Sequence, residues 1–267
     1  MSDRRGLVMK GSRFASRSAV DMLEQTKVAV VTGAASGIGA ATARQLADEG
    51  YRVACLDLDE RGLAATLAAL GPLHRSFTLD LCDEQAVAAT FTEIEHWQGR
   101  VDVLATCAGV VDTAPFEQLS VARLRQLLDI NLIATFSVVQ QSVRLMARGG
   151  RICTVASVAG IRGGGLAGTL GYATSKGAVI TLSKGLAREL GPRGINVNCV
   201  APAVIRTPML DDTTRDAGKL EQLHGMTALR REGSAEEAAE VICWLLSGKA
   251  SFVSGTTIAV DGGLAML

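Results

Sequence analysis

KVAVVTGAASGIGAAT, residues 27–42, runs an apolar, β-branched stretch straight into a turn with three glycines, Gly33, Gly37 and Gly39, and then into alanine-rich helix formers. Glycines permit a tight turn and let backbone pass close to a ligand. The helix that follows offers unpaired N–H groups and the positive end of its dipole, a setting suited to a pyrophosphate. A glycine turn alone is weak evidence, but one set between a strand and a helix reads as the first unit of a dinucleotide-binding fold. Gly33, Ser36, Gly37, Ile38 and Gly39 are the candidate contacts in this turn.

The same alternation continues along the chain. Short apolar runs at 27–32, 51–57, 76–81, 101–107, 151–157, 195–200 and 256–260 read as strands, with helices expected near 38–50, 60–70, 83–98, 119–148, 172–190 and 235–247. The strands are apolar almost throughout, which suits strands covered by helices on both faces. Strict βαβ alternation with right-handed crossovers predicts an α/β fold, a Rossmann-like doubly wound parallel sheet of about seven strands. Residues 27–267 are expected to form that single domain. Residues 1–26, with five basic side chains and no apolar signal core, read as a disordered extension or as sequence upstream of a later start at Met22; a transit peptide fits their Arg/Ser content less well.

The bulk numbers exclude several function classes. The 267 residues are 48% hydrophobic, and 27 basic side chains balance 27 acidic ones. Without a basic surplus there is no electrostatic footprint for nucleic acid. No apolar run reaches the roughly 18 residues of a membrane span. Six cysteines without a C-x-x-C pair read as free thiols in a reducing cytoplasm, and three scattered histidines supply no metal-ligand spacing.

In a doubly wound sheet the ligand lies beyond the carboxyl ends of the strands. Asp57 ends the second strand 20 residues after Gly37. A carboxylate there accepts hydrogen bonds from adenosine ribose hydroxyls and repels a 2′-phosphate, which favours NAD over NADP; a plain strand-end cap is the alternative. Leu58 follows it. Asp80 and Leu81, ending the third strand, are placed for the adenine side, with an ordinary turn as an equal alternative for Asp80.

Ser157 ends a strand, and Tyr172 and Lys176 share one face of the next long helix. A free tyrosine is a poor acid or base at neutral pH, and a neighbouring ammonium is expected to lower its pKa toward the working range. Ser157 is then available to a substrate oxygen. Such a pair on an isolated helix usually marks a solvated face; its position after the phosphate turn and the strand-end serine is what singles it out.

Taken together, TGAASGIG (32–39), DINLIATF (129–136), ASVAG (156–160), YATSK (172–176) and FVSGTTIAVDGG (252–263) resemble the short-chain dehydrogenase/reductase family over residues 26–267. The resemblance implies a catalytic tetrad of Asn131, Ser157, Tyr172 and Lys176. In that scheme Tyr172 exchanges a proton with the substrate oxygen and Ser157 orients it. Lys176 lowers the tyrosine pKa and holds the nicotinamide ribose, while Asn131 supports a water leading to Lys176. The resemblance also implies cofactor contacts at Ala108, Gly109, Pro202, Val204 and Thr207, and a homotetramer. Two departures stand out: TCAG (106–109) replaces the family's N-N-A-G, and Pro202-Ala203 replaces Pro-Gly.

The expected substrate surroundings are Val110 and Val111, the 158–170 segment with Val158 and Arg162, and the 203–225 segment with Ala203 and His224. The first two are mostly small or apolar, with Arg162 the visible exception, which predicts an uncharged or weakly polar secondary alcohol or ketone. The alternatives are a 3-oxoacyl-carrier-protein reductase, a class that usually takes NADPH and carries basic groups in its phosphate turn, and a non-catalytic NAD-binding sensor. Ser157 and Tyr172 stand 15 residues apart, longer than is common in the family. The surplus is expected to form a flexible lip over the substrate mouth at 163–169.

Overall fold

The computed structural model describes residues 26–165, 169–213 and 217–266. The expected N-terminal extension through residue 25 and the middle of the expected lip, 166–168, lie outside them. Seven strands, β1 (Val28–Thr32), β2 (Arg52–Asp57), β3 (Arg75–Thr78), β4 (Val103–Thr106), β5 (Arg151–Val155), β6 (Asn196–Pro202) and β7 (Thr257–Val260), make one sheet in the order β3-β2-β1-β4-β5-β6-β7. Every pairing is parallel. The order reverses beside β1, so the crevice between the turns after β1 and β4 is the switch point where ligands bind in such sheets.

Continuous apolarity in the strands follows from two covered faces. In β1, Ala29 and Val31 pack on one side with Ala43 and Leu46 of α1 (Gly37–Asp48) and Leu63 of α2 (Glu60–Leu70), while Val30 packs on the other with Phe91 and Ile94 of α3 (Glu84–Gln98). Leu127 is the buried residue of α4 (Val121–Leu128), and Val138, Val139 and Val143 of α5 (Ala134–Leu145) join the α3 side. Beyond α6 (Val158–Arg162), the long α7 (Leu170–Leu190) adds Leu186 and Leu190 to that side. After α8 (Pro208–Thr213) and α9 (Ala217–Met226), α10 (Ala235–Leu246) closes the α1 side with Ile242, Leu245 and Leu246. Among the described residues no helix is long and apolar enough to cross a membrane.

Three differences from the sequence expectation have local causes. β3 stops at Thr78 rather than 81, because the Asp80 carboxylate accepts the Cys82 N–H at 2.9 Å and turns the chain. The single helix expected over 119–148 is split by a π-turn at Asp129–Ile133, an expansion typical of functional positions, and it carries the fully buried Asn131. The short α6 was not anticipated. Ser157 caps its start through an Ala159 N–H, and Gly163 ends it at φ +82°.

α6 lies directly on α7. A Cβ added to Gly160 would stand 2.5 Å from the Gly177 nitrogen and 2.6 Å from the Lys176 carbonyl carbon. Gly160→Ala is therefore expected to cost about 1–3 kcal/mol through overpacking, lowering Tm by about 5 °C. Gly185→Ala, on an open face of α7 with nothing within 4 Å, is expected to leave Tm unchanged or raised. Thermal unfolding of the two variants checks the contrast.

Candidate active site

The turn after β1 is built for close approach. Gly33 takes φ +67°, and a Cβ on it would meet the Ala108 nitrogen at 2.7 Å; one on Gly39 would sit 2.0 Å from the Gly33 oxygen. A Cβ on Gly37, which takes φ +53°, would lie 3.0 Å from the Thr207 methyl. Ser36 precedes α1 with no side-chain cap bond, which leaves the first-turn N–H groups facing outward. At the end of β2, both oxygens of Asp57 are held by backbone, Oδ2 by the Ala35 N–H and Oδ1 by the Asp59 N–H, each at 3.0 Å. Its lone pairs are only partly used, so a negative charge is fixed beside the turn. Leu58 and Asp80 are exposed and Leu81 is partly buried along the same edge.

Asn131 joins the loop after β4 to α7. Its Oδ1 accepts from the Val110 N–H at 2.8 Å, while Nδ2 donates to the Val110 carbonyl and to Ser175 Oγ, both at 2.9 Å. A buried amide needs such partners. A Cβ on Gly109 would lie 3.0 Å from Lys176 Nζ and 3.1 Å from Asn131 Oδ1, so a larger residue there would crowd both side chains. The TCAG departure leaves this strand end intact: the Cys107 N–H reaches the Thr32 carbonyl and the Ala108 N–H reaches Thr32 Oγ1. Thr106 Oγ1 is buried without a partner among the described residues. The Cys107 thiol is pushed up to about 12 by burial, which keeps it uncharged.

Ser157, Tyr172 and Lys176 meet above β5. Ser157 is buried, accepts from the Ala159 N–H at 3.1 Å and donates to the Pro202 carbonyl at 3.4 Å, with the Tyr172 phenol near enough to feel its hydroxyl. Lys176 Nζ donates to the Val155 carbonyl at 2.9 Å and lies 5.9 Å from the centre of the Tyr172 ring. Burial lowers Lys176 to about 8. The expected lowering of Tyr172 is not seen. Burial raises its pKa, offset only in part by Ser157, because the ammonium is turned to the Val155 carbonyl rather than to the phenol.

These groups open on a cavity of about 160 Å³. Of the expected cofactor residues, Ile38, Gly109, Pro202, Val204 and Thr207 line it along with the three groups above. Val158, Arg162 and Ala203 line it too, as do Gly164 and Gly165 at the start of the expected lip. Two substrate candidates do not. Val110 spends its backbone on Asn131, and its neighbour Val111 faces the cavity instead. The His224 ring pairs with Glu232, which also accepts Arg206 Nε at 3.0 Å and Nη2 at 2.6 Å, while Leu223 and Met226 of the same helix line the cavity. Sequence reasoning missed Ser175, Met226 and Leu264; Leu264 is returned to the cavity by positive-φ glycines at 262 and 263, for which the DGG triplet was the available signal.

A family model described as enoyl-(acyl carrier protein) reductase matches residues 33–265. D-threitol dehydrogenase of Mycolicibacterium smegmatis is 38% identical over 242 residues, 89% of this chain and 92% of that protein. The 3-oxoacyl-(acyl-carrier-protein) reductase FabG of Escherichia coli strain K12 is 35% identical over 246 residues, 90% of this chain and 98% of that protein. The chain belongs to the short-chain dehydrogenase/reductase family. A solved short-chain dehydrogenase/reductase of Brucella melitensis, titled a glucose/ribitol dehydrogenase, superposes with TM-score 0.85 at 32% identity, covering 90% of this chain and 97% of its own. As a family member, the protein is an oxidoreductase of the hydride-transfer class.

Two titrations follow from this geometry. Both tyrosines of the chain, Tyr51 and Tyr172, are raised above 10.0, so ultraviolet titration of protein purified without added cofactor is expected to show less than half of the tyrosine ionised at pH 10. Lys176 is depressed from 10.5 to about 8 in the folded chain. The unfolded state thus binds more protons between these values, and stability rises with pH across that window. Relative to Lys176→Met, the native protein should gain up to about 3 kcal/mol between pH 8 and 10.5 in chemical denaturation.

Proposed function

We propose that this protein transfers a hydride between NAD(H) and a small secondary alcohol or ketone, with Tyr172 as the proton-exchanging acid/base. The observation that carries this reading is the convergence of Ser157, Tyr172 and Lys176 on one cavity whose wall includes Gly109, where an added Cβ would crowd Lys176 and Asn131. The glycine cradle at 33, 37 and 39 fits a dinucleotide, and the fixed Asp57 carboxylate suits unphosphorylated ribose hydroxyls. When bound, the nicotinamide supplies the hydride acceptor or donor.

The chain's own groups handle the proton. Burial keeps the Tyr172 phenol neutral, the state from which it gives its O–H proton to a ketone oxygen as that oxygen gains charge. Ser157, fixed by its bond from the Ala159 N–H, steadies the same oxygen. As the phenolate forms, the nearby Lys176 ammonium stabilises it. Asn131 holds Gly109 and Val110 in place beside Lys176, and in alcohol oxidation each proton step runs in reverse.

Six unpaired cysteines, four of them buried, support a reducing cytoplasmic setting. Exposed Val121, Ile133 and Phe136 along α4, the π-turn and α5 supply an apolar face for the homotetramer, which mass photometry tests. Tyr172→Phe is expected to lower kcat by about 10²–10⁴ while NADH binding persists. Equal inactivity of native protein and variant on every alcohol and ketone would instead support the sensor reading. Titration with NAD(H) and NADP(H) should favour NAD(H), and Asp57→Ala should narrow the preference. Preference for NADPH together with turnover of acyl thioesters alone would support the 3-oxoacyl reductase reading.

A further inference from the structure

The cavity beside Tyr172 has an uneven charge. Its walls are largely apolar, with Val111, Val158, Val204, Leu210, Leu223 and Leu264 among them. Two cations line it, Lys176 and Arg162, and among the described residues no carboxylate does. Lys176 is buried and committed to the Val155 carbonyl. Arg162 makes no ion pair or side-chain hydrogen bond among the described residues, whereas Arg100, Arg123, Arg206 and Arg231 all pair with carboxylates. An exposed arginine is usually only solvated, but this one stands at a concave, apolar-walled site, where a single sign of charge focuses the field.

Its position is fixed rather than incidental. Arg162 is the last residue of α6, which begins at the Ser157 cap and is seated on α7 by the Gly160–Gly177 contact. Five residues of helix separate Ser157 and Arg162 by about 7 Å along the axis. A ligand reaching both groups therefore carries its anion several bonds from the reacting carbon. A single guanidinium fork matches the two oxygens of a carboxylate, whereas a phosphate dianion ordinarily gathers several donors.

We propose that Arg162 receives a carboxylate of the substrate, so that the protein acts on an apolar oxo or hydroxy acid whose acid group is remote from the carbon that exchanges hydride. This rests on the dehydrogenase reading for the reaction and on the cavity alone for the anion. It replaces the expectation of an uncharged substrate with a molecule apolar in its body and anionic at one end.

Binding and turnover test the two parts separately. Octanoate and octanamide are titrated calorimetrically into the native protein, Arg162→Gln and Arg162→Lys, each with and without NADH. The acid is expected to bind the native protein about ten- to hundredfold more tightly than the amide, the span of a charge-assisted hydrogen bond. That preference should vanish in Arg162→Gln and survive in part in Arg162→Lys. Equal binding of acid and amide, a preference that persists in Arg162→Gln, or tighter binding of octyl phosphate than of octanoate overturns the proposal. Straight-chain oxo acids and their methyl esters are then compared as substrates, with the ratio of kcat/KM for acid over ester expected to collapse in Arg162→Gln. Turnover of esters but not acids sinks the proposal while sparing the dehydrogenase reading. An Arg162-dependent preference for octanoate with no turnover of either series upholds the anion site and sinks that reading.

Discussion

The buried amide of Asn131 is the constraint around which the site is arranged. Its three hydrogen bonds tie the loop after β4 to the helix carrying Tyr172 and Lys176, and an added Cβ at Gly109 would crowd its amide oxygen. An amide with no exposure to solvent tolerates no loss of a partner without stranding a polar group. The π-turn at Asp129–Ile133 belongs to the same arrangement, since a regular helix would aim that side chain elsewhere. Position of the catalytic helix, path of the β4 loop and shape of the cofactor crevice thus form one coupled unit rather than three separate features.

The fold was legible because its signals are dense and mutually consistent. Uninterrupted apolar strands such as 28–32 require two covered faces, and of the glycines after them Gly33 and Gly39 make backbone contacts that no larger residue permits, while Gly37 takes a positive φ. Ser157, Tyr172 and Lys176 were legible from their order at strand and helix ends. Less legible was anything decided by side-chain direction. His224 lies on the same helix as two cavity residues, yet Glu232 and Arg206 supply a charged partner on its other side. Val110 and Val111 are adjacent apolar residues, and only the Asn131 bonds determine which of them faces the ligand. The direction of the Tyr172 shift was misjudged for a related reason: spacing reveals that an ammonium is near but not which oxygen it is bonded to.

Electrostatically, the site is poised rather than charged in advance. The Cys107 thiol and the Tyr172 phenol are both held neutral by burial, and the Lys176 ammonium is weakened by it. Placing few permanent charges in a small apolar space makes each change of charge during reaction count for more, because little solvent remains to dilute it.

Thr169 adds a consequence of a different kind. Its N–H and its hydroxyl both donate to the Asp112 carbonyl, at 3.2 and 3.0 Å, so the first turn of α7 is anchored to the β4 loop. Asp112 is in turn held by Arg123. Tyr172, one turn further on, is therefore held in place through the β4 loop. With α7 held from the β4 side, Gly164 and Gly165 at the cavity rim are the natural place for a lineage to reshape the cavity without moving Tyr172.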